Sequence, residues 1–239
     1  MSAVLSLIFL FILIFCIWAG YKKGLIMGVL SLVAFAVSVY GANLLAETYS
    51  GEVIGALRPF ASGYVEVNVI DASVRPAMGI DSANLSINDF FAQYPDRKTE
   101  FCTLTYEGMG IYESASEQMA GEAVAYAEEN DAEIVDAIVE ILCERIAYVG
   151  AFIIAFIMIL IILTVIGNIP NVSFQIPNHE LLNDVGGAVT GLLQGLAFCL
   201  IIGWALRFAG IILSQETLSS TFLVSWFMDR TVFVHILGI

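Results

Sequence analysis

Residues that could do chemistry are sparse in this chain, and none of them falls into a reactive spacing. A zinc protease would carry HExxH, a redox protein CxxC and a serine hydrolase GxSxG, and none of these occurs. The two histidines, His179 and His235, lie far apart. Carboxylates are plentiful: Glu129, Glu133, Asp136, Glu140 and Glu144 recur about once per helical turn. No set of them has the spacing of a calcium loop, and like charges at i,i+4 repel mildly, so the row reads as a solvated face. No catalytic residue, metal centre or cofactor is expected, and the chain reads as non-enzymatic. Glycine is the residue that recurs at a strict spacing. "GYKKGLIMG" (Gly20, Gly24, Gly28) and "GAVTGLLQG" (Gly187, Gly191, Gly195) share the pattern G-x-x-x-G-L-x-x-G. Gly203 continues the second series. Residues four apart share a helix face, so each series predicts a groove where another backbone can approach closely.

The elements that must carry those glycines are apolar. Hydrophobic residues make up 59% of the chain and charged ones 13%, against about 25% charged in an ordinary soluble domain. The excess lies in four uncharged runs, within residues 2–21, 25–46, 146–178 and 185–206. Each is about 20 residues or longer, enough to cross a hydrocarbon core of about 30 Å. The expectation is an all-α membrane protein whose four transmembrane helices form two hairpins. The first hairpin occupies residues 1–46 and the second 146–213, with an interfacial tail over 214–239. The first run lacks a basic start and "CIWAG" is a poor cleavage site, so it is expected to stay as a helix.

The net charge of −14 belongs to one segment. Residues 47–145 hold 19 Asp+Glu and 5 Lys+Arg, and the remainder of the chain balances. A basic surface for nucleic acid is absent. Lys22 and Lys23 occupy the short link between the first two runs, and the positive-inside rule puts that link in the cytoplasm. The N-terminus and the acidic segment are then extracytoplasmic. Within that segment "YVEVNVI" alternates like a short strand, and "SINDFF" suggests a short helix capped by Ser86 or Asn88. From about residue 111 a helical pattern with Ile134, Ile138, Val139 and Leu142 on one face is expected to run unbroken into the third apolar run. Cys102 and Cys143 fall in this segment and are candidates for a disulfide in an oxidising compartment. Arg207, next to Trp204 and Phe208, is expected to snorkel to the membrane interface.

The glycine repeat, the helix ending in "GYKKGLI", the following "LSLVAFAVSVYGANLLA", "LLNDVGGAVTGLLQGL" and the closing "SSTFLVSWF" together resemble the colicin V production protein family, the CvpA-like membrane proteins. The resemblance covers roughly residues 1–50 and 146–228 and passes over the acidic middle. It implies that Gly20, Gly24, Gly187, Gly191 and Gly195 are family glycines and that Lys22 and Lys23 form the basic first loop. Asp184 departs from the family, where a basic residue is frequent. The resemblance further implies a bacterial inner-membrane protein linked to colicin V (bacteriocin) production and envelope homeostasis, without catalytic activity. Two other readings stand beside it: a small oligomeric transporter or channel subunit, and an envelope scaffold that recruits a partner through the acidic segment. The expected contacts are the lipid bilayer and, further, self-association or an envelope protein.

Overall fold

The computed structural model describes residues 2–80, 86–168, 180–208 and 226–228. Among these the secondary structure is entirely helical. The α-helices are α1 (Ser2–Tyr64), α2 (Arg75–Met78), α3 (Ile87–Gln93), α4 (Lys98–Gly108), α5 (Glu113–Asn130), α6 (Ile134–Asn168) and α7 (Glu180–Leu206). A π-helix, Val65–Val74, follows α1, and a short 3-10 turn, Pro95–Arg97, precedes α4. Three of these helices, α1, α6 and α7, are long and apolar enough to cross a membrane. The interfacial tail expected over 214–239 and both histidines fall outside the described residues, apart from 226–228.

The chain divides into two compact units. The first comprises residues 1–47, 150–206 and 216–239, and the second residues 48–149 and 207–215.

The first unit is built from the apolar lengths of α1, α6 and α7. At 1.5 Å per residue the 63 residues of α1 would extend about 95 Å, three times a bilayer core. The helix is interrupted at Gly24, whose φ of 79° and ψ of 173° are not helical. Such a positive φ is open to glycine at little cost and strained for any other residue. Lys22 and Lys23, expected in a loop, stay helical and exposed, so the interruption is a single residue. Aromatic rings fill the space further along. Phe35 meets Phe156 and Phe198 edge-on at 5.4 and 4.9 Å, and Phe152 meets Trp204 at 5.3 Å.

The second unit has its own apolar core. Val65, Ile70, Phe101, Tyr106, Met119 and Ile138 are buried within it, with α4 and α5 packed together. The Tyr106 hydroxyl donates to the Ile138 carbonyl at 3.1 Å, so even this buried polar tip is satisfied. Ser86 caps α3, accepting from the Asp89 amide at 3.1 Å. A half-buried ion pair joins Arg145 to Glu122 at 2.6 Å, and a more exposed one joins Arg58 to Glu140.

Three expectations are corrected in this unit. "YVEVNVI" is not a strand: its residues from Val65 begin the π-helix, whose buried Val65, Val69, Ile70 and Val74 recur at helical spacing. The helix expected to run unbroken from about 111 is two helices. Asp131 takes the left-handed conformation (φ 50°) that ends α5, and α6 starts at Ile134. Aspartate is among the few residues that tolerate this conformation, so neither proline nor glycine was needed for the break. Arg207 does not snorkel: it is 3% exposed and donates to Ser114 Oγ at 2.8 Å, while its carbonyl accepts from the Tyr112 amide at 3.0 Å. Cys102 and Cys143, the pair considered for a disulfide, both stand buried in this core as free thiols.

Burial pushes the Cys102 thiol from its ordinary 9.0 up to about 12. At pH 8 the thiolate fraction is then on the order of one in ten thousand. Iodoacetamide at pH 8 should leave Cys102 intact in the folded protein and modify it after denaturation. The unfolded thiol ionises near its ordinary value and the folded one only near about 12. This contribution to stability is therefore complete below pH 9.0 and is lost as pH rises towards about 12. Rapid native-state alkylation, read by mass spectrometry, would contradict this core.

Candidate functional site

The two glycine series meet. A Cβ added to Gly20 would strike the Gly187 carbonyl oxygen and stand 2.8 Å from the Gly191 Cα. One added to Gly187 would strike the Gly20 carbonyl oxygen and lie 2.9 Å from the Gly24 Cα. One added to Gly191 would strike the Cys16 carbonyl oxygen and lie 3.1 Å from the Gly20 Cα. Gly195 faces the Cys16 Cβ at 3.0 Å and Leu13 at 3.3 Å. The first three are approaches to backbone, so no rotamer change can make room.

The same contacts fix the direction of each segment. Going up α7 from Gly187 to Gly191 to Gly195, the partners in α1 descend from Gly20 and Gly24 through Cys16 to Leu13. Residues 2–23 therefore run antiparallel to α7. Beyond the break the order reverses. Asn183 faces Gly24, Thr190 faces Gly28, Gln194 bonds Ser31, and Phe198 meets Phe35. The part of α1 after Gly24 runs parallel to α7. The two parts of α1 are thus antiparallel to each other, and the chain turns back at Gly24.

A turn inside a helix leaves backbone amides without intrahelical acceptors. The Leu25 amide donates to Asn183 Oδ1 at 3.2 Å. Asn183 is only 6% exposed, and its amide group also fills the space beside Gly24, where a Cβ would lie 2.5–2.8 Å from it. In hydrocarbon an unsatisfied amide costs several kcal/mol, so this acceptor stabilises the turn. Two more polar contacts sit along the seam. Thr190 Oγ1 bonds the Gly187 carbonyl at 2.9 Å, and Ser31 Oγ bonds Gln194 Oε1 at 3.1 Å.

Not every expected residue joins the crossing. Gly28 packs on the Thr190 side chain rather than on backbone, and Gly203 faces Phe227. Lys22 and Lys23 directly precede the turn. Asn183 was missed as a functional residue, yet it precedes Gly187 by four and so shares the face of Gly187, Gly191 and Gly195. Among the described residues no group of His, Cys, Asp and Glu could hold a metal ion. The acidic row is divided, with Glu129 on α5, Glu133 in the connection, and Asp136, Glu140 and Glu144 on α6.

Long apolar helices joined by such a seam define a multi-pass helical membrane protein. Residues 118–232, a little under half of the chain, match the family model described as Colicin V production protein, and the chain carries a domain of that family. No curated protein and no solved structure matches the chain. The match begins inside the acidic segment and leaves out residues 1–50, whereas the resemblance read from the sequence included those residues and passed over the middle. From residue 118 onward the acidic surface accompanies a regular inward face, from Met119 and Ala123 to Ile138 and Leu142.

Gly191→Ala should lower thermal stability in detergent, by about 1–3 kcal/mol for overpacking. Gly55→Ala is the control: nothing lies within 4 Å of a Cβ there, and alanine in a helix gains up to about 1 kcal/mol over glycine. Equal effects of the two substitutions would contradict the close crossing.

Proposed function

We propose that the protein is a non-enzymatic, four-crossing inner-membrane component of bacteriocin production and envelope homeostasis. Its role is to hold a folded acidic unit outside the cytoplasm. The observation that carries the biological role is the Colicin V production domain over residues 118–232. The turn at Gly24 supports four crossings in two hairpins, with the two parts of α1 as the first pair and α6 and α7 as the second. Phe152 beside Trp204 and Phe156 beside Phe198 are consistent with an antiparallel second pair. The glycines Gly20, Gly24, Gly28, Gly187, Gly191, Gly195 and Gly203 serve as packing positions in this reading. Lys22 and Lys23 mark the cytoplasmic end of the first hairpin.

A scaffold role for the second unit has a specific observation behind it. That unit has a complete core of its own, and its residues carry nearly all of the chain's excess negative charge. Such a surface suits a basic or polycationic envelope partner. The transporter reading has less support, because the apolar runs contain no carboxylate.

Disrupting the gene in a bacteriocin-producing host should lower secreted bacteriocin activity and raise detergent sensitivity, and the wild-type chain should restore both. Unchanged output and envelope integrity would sink the role. Orientation is read separately. Phe60 is 80% exposed, so Phe60→Cys should react with an impermeant maleimide in intact cells. Reaction only after permeabilisation would reverse the orientation.

A further inference from the structure

A cavity of about 140 Å³ opens beside the glycine crossing in the first unit. Phe15, Cys16, Lys23, Ser31, Gln194 and Phe198 line it, with the backbone of Gly20, Gly28 and Gly191 completing the wall. Lys23 is the only charged residue in that lining. It forms no ion pair or hydrogen bond among the described residues. Ser31 bonds Gln194 through Oε1, and no described residue accepts from the Gln194 amide nitrogen. The cavity therefore offers one positive charge and one uncommitted neutral donor. No carboxylate in the lining competes for either.

We propose that this cavity seats the phosphate-bearing headgroup of an anionic lipid. Lys23 supplies the charge and Gln194 the neutral hydrogen bond. Lys23 is exposed, so its ammonium can meet a phosphate oxygen at the mouth of the cavity, and a charge-assisted hydrogen bond of that kind is stronger than a neutral one. Size selects the kind of molecule. At about 30 Å³ per water the space holds four or five waters, well below the roughly 300–1,000 Å³ of a pocket that encloses a whole small ligand. The occupant inserts one small polar group and leaves its remainder outside. The helices that form the cavity are of membrane length and two of its walls are phenylalanine rings, so that remainder is hydrocarbon. This site depends neither on the bacteriocin role nor on which side of the membrane the lysines face.

The full-length protein, purified in detergent, is titrated with dioleoyl phosphatidic acid or dioleoyl phosphatidylcholine, and retained lipid is counted by native mass spectrometry. Phosphatidic acid should be retained in preference to phosphatidylcholine. Lys23→Gln should weaken its retention by at least about tenfold, the loss expected of a charge-assisted hydrogen bond. Lys22→Gln, which does not line the cavity, should weaken it by about fivefold or less, the share of one basic residue near an anionic surface. Lys23→Arg should retain binding, and Gln194→Leu should weaken it while the basic residues stay intact. Equal losses for Lys22→Gln and Lys23→Gln would mean diffuse attraction and overturn the site. So would unchanged retention in Gln194→Leu, or no preference for phosphatidic acid. Displacement of the lipid by excess glycerol phosphate would identify a soluble phosphate ester as the occupant and overturn the lipid assignment. If Lys23→Gln does not fold, Gln194→Leu against Lys22→Gln decides.

Discussion

The first unit depends on the absence of Cβ atoms where α1 crosses α7. The carbonyl of Gly187 occupies the space a side chain on Gly20 would need, and the carbonyl of Gly20 occupies the space needed by Gly187. Between helices in lipid the hydrophobic effect gives no net attraction, because acyl chains are as apolar as the side chains they replace. Close backbone contact substitutes for it through dispersion and Cα–H···O contacts. Both fall off steeply with distance, so a single methyl group at the crossing removes much of what holds it.

The crossing also determines where polar groups can sit. Gly24 adopts a backbone conformation that only glycine reaches without strain, and the turn leaves the Leu25 amide needing an acceptor. Asn183 provides one because the small residues above it bring α7 near enough. Without Gly187 and Gly191 the asparagine would stand off, and without the asparagine the turn would leave a bare amide in an apolar setting. Thr190 and Ser31, further along the seam, direct their hydroxyls at nearby oxygens, the Gly187 carbonyl for Thr190 and either the Gly28 carbonyl or Gln194 Oε1 for Ser31, and so add no uncompensated polarity. The cavity beside Lys23 is a place on this seam where donors are left over.

Much of this was legible in the sequence because glycine spacing and uncharged run length are direct consequences of the physics. The i,i+4 glycines pointed to one face on each helix, and the run lengths to membrane crossings. That the two faces meet each other, rather than lipid or a second molecule, is a tertiary fact. So is the antiparallel turn at Gly24, although the paired lysines beside a glycine marked its position. The acidic segment was less legible, for physical reasons. A π-helix containing three alternating valines (Val65, Val67, Val69) imitates a strand, and Asp131 ends a helix without either residue that normally signals a break. Arg207 was read from its neighbours in sequence, while its actual contacts, Ser114 and Tyr112, are nearly a hundred positions away.

The central claim is that residues 13–24 lie against residues 187–195 at backbone-contact distance. Gly195→Cys tests it in one step with the native Cys16. A Cβ at 195 would stand 3.0 Å from the Cys16 Cβ, so a shift of about half an ångström brings the pair into the usual disulfide span of about 3.5–4.5 Å. Mild oxidation of this variant in membranes should yield an intramolecular disulfide between Cys16 and the thiol introduced at position 195, detected as a linked peptide after proteolysis. Cysteine placed instead at Gly150, with nothing within 4 Å of its Cβ, should give none with Cys16. Failure of Gly195→Cys to cross-link, or linkage only between separate molecules, would contradict the crossing.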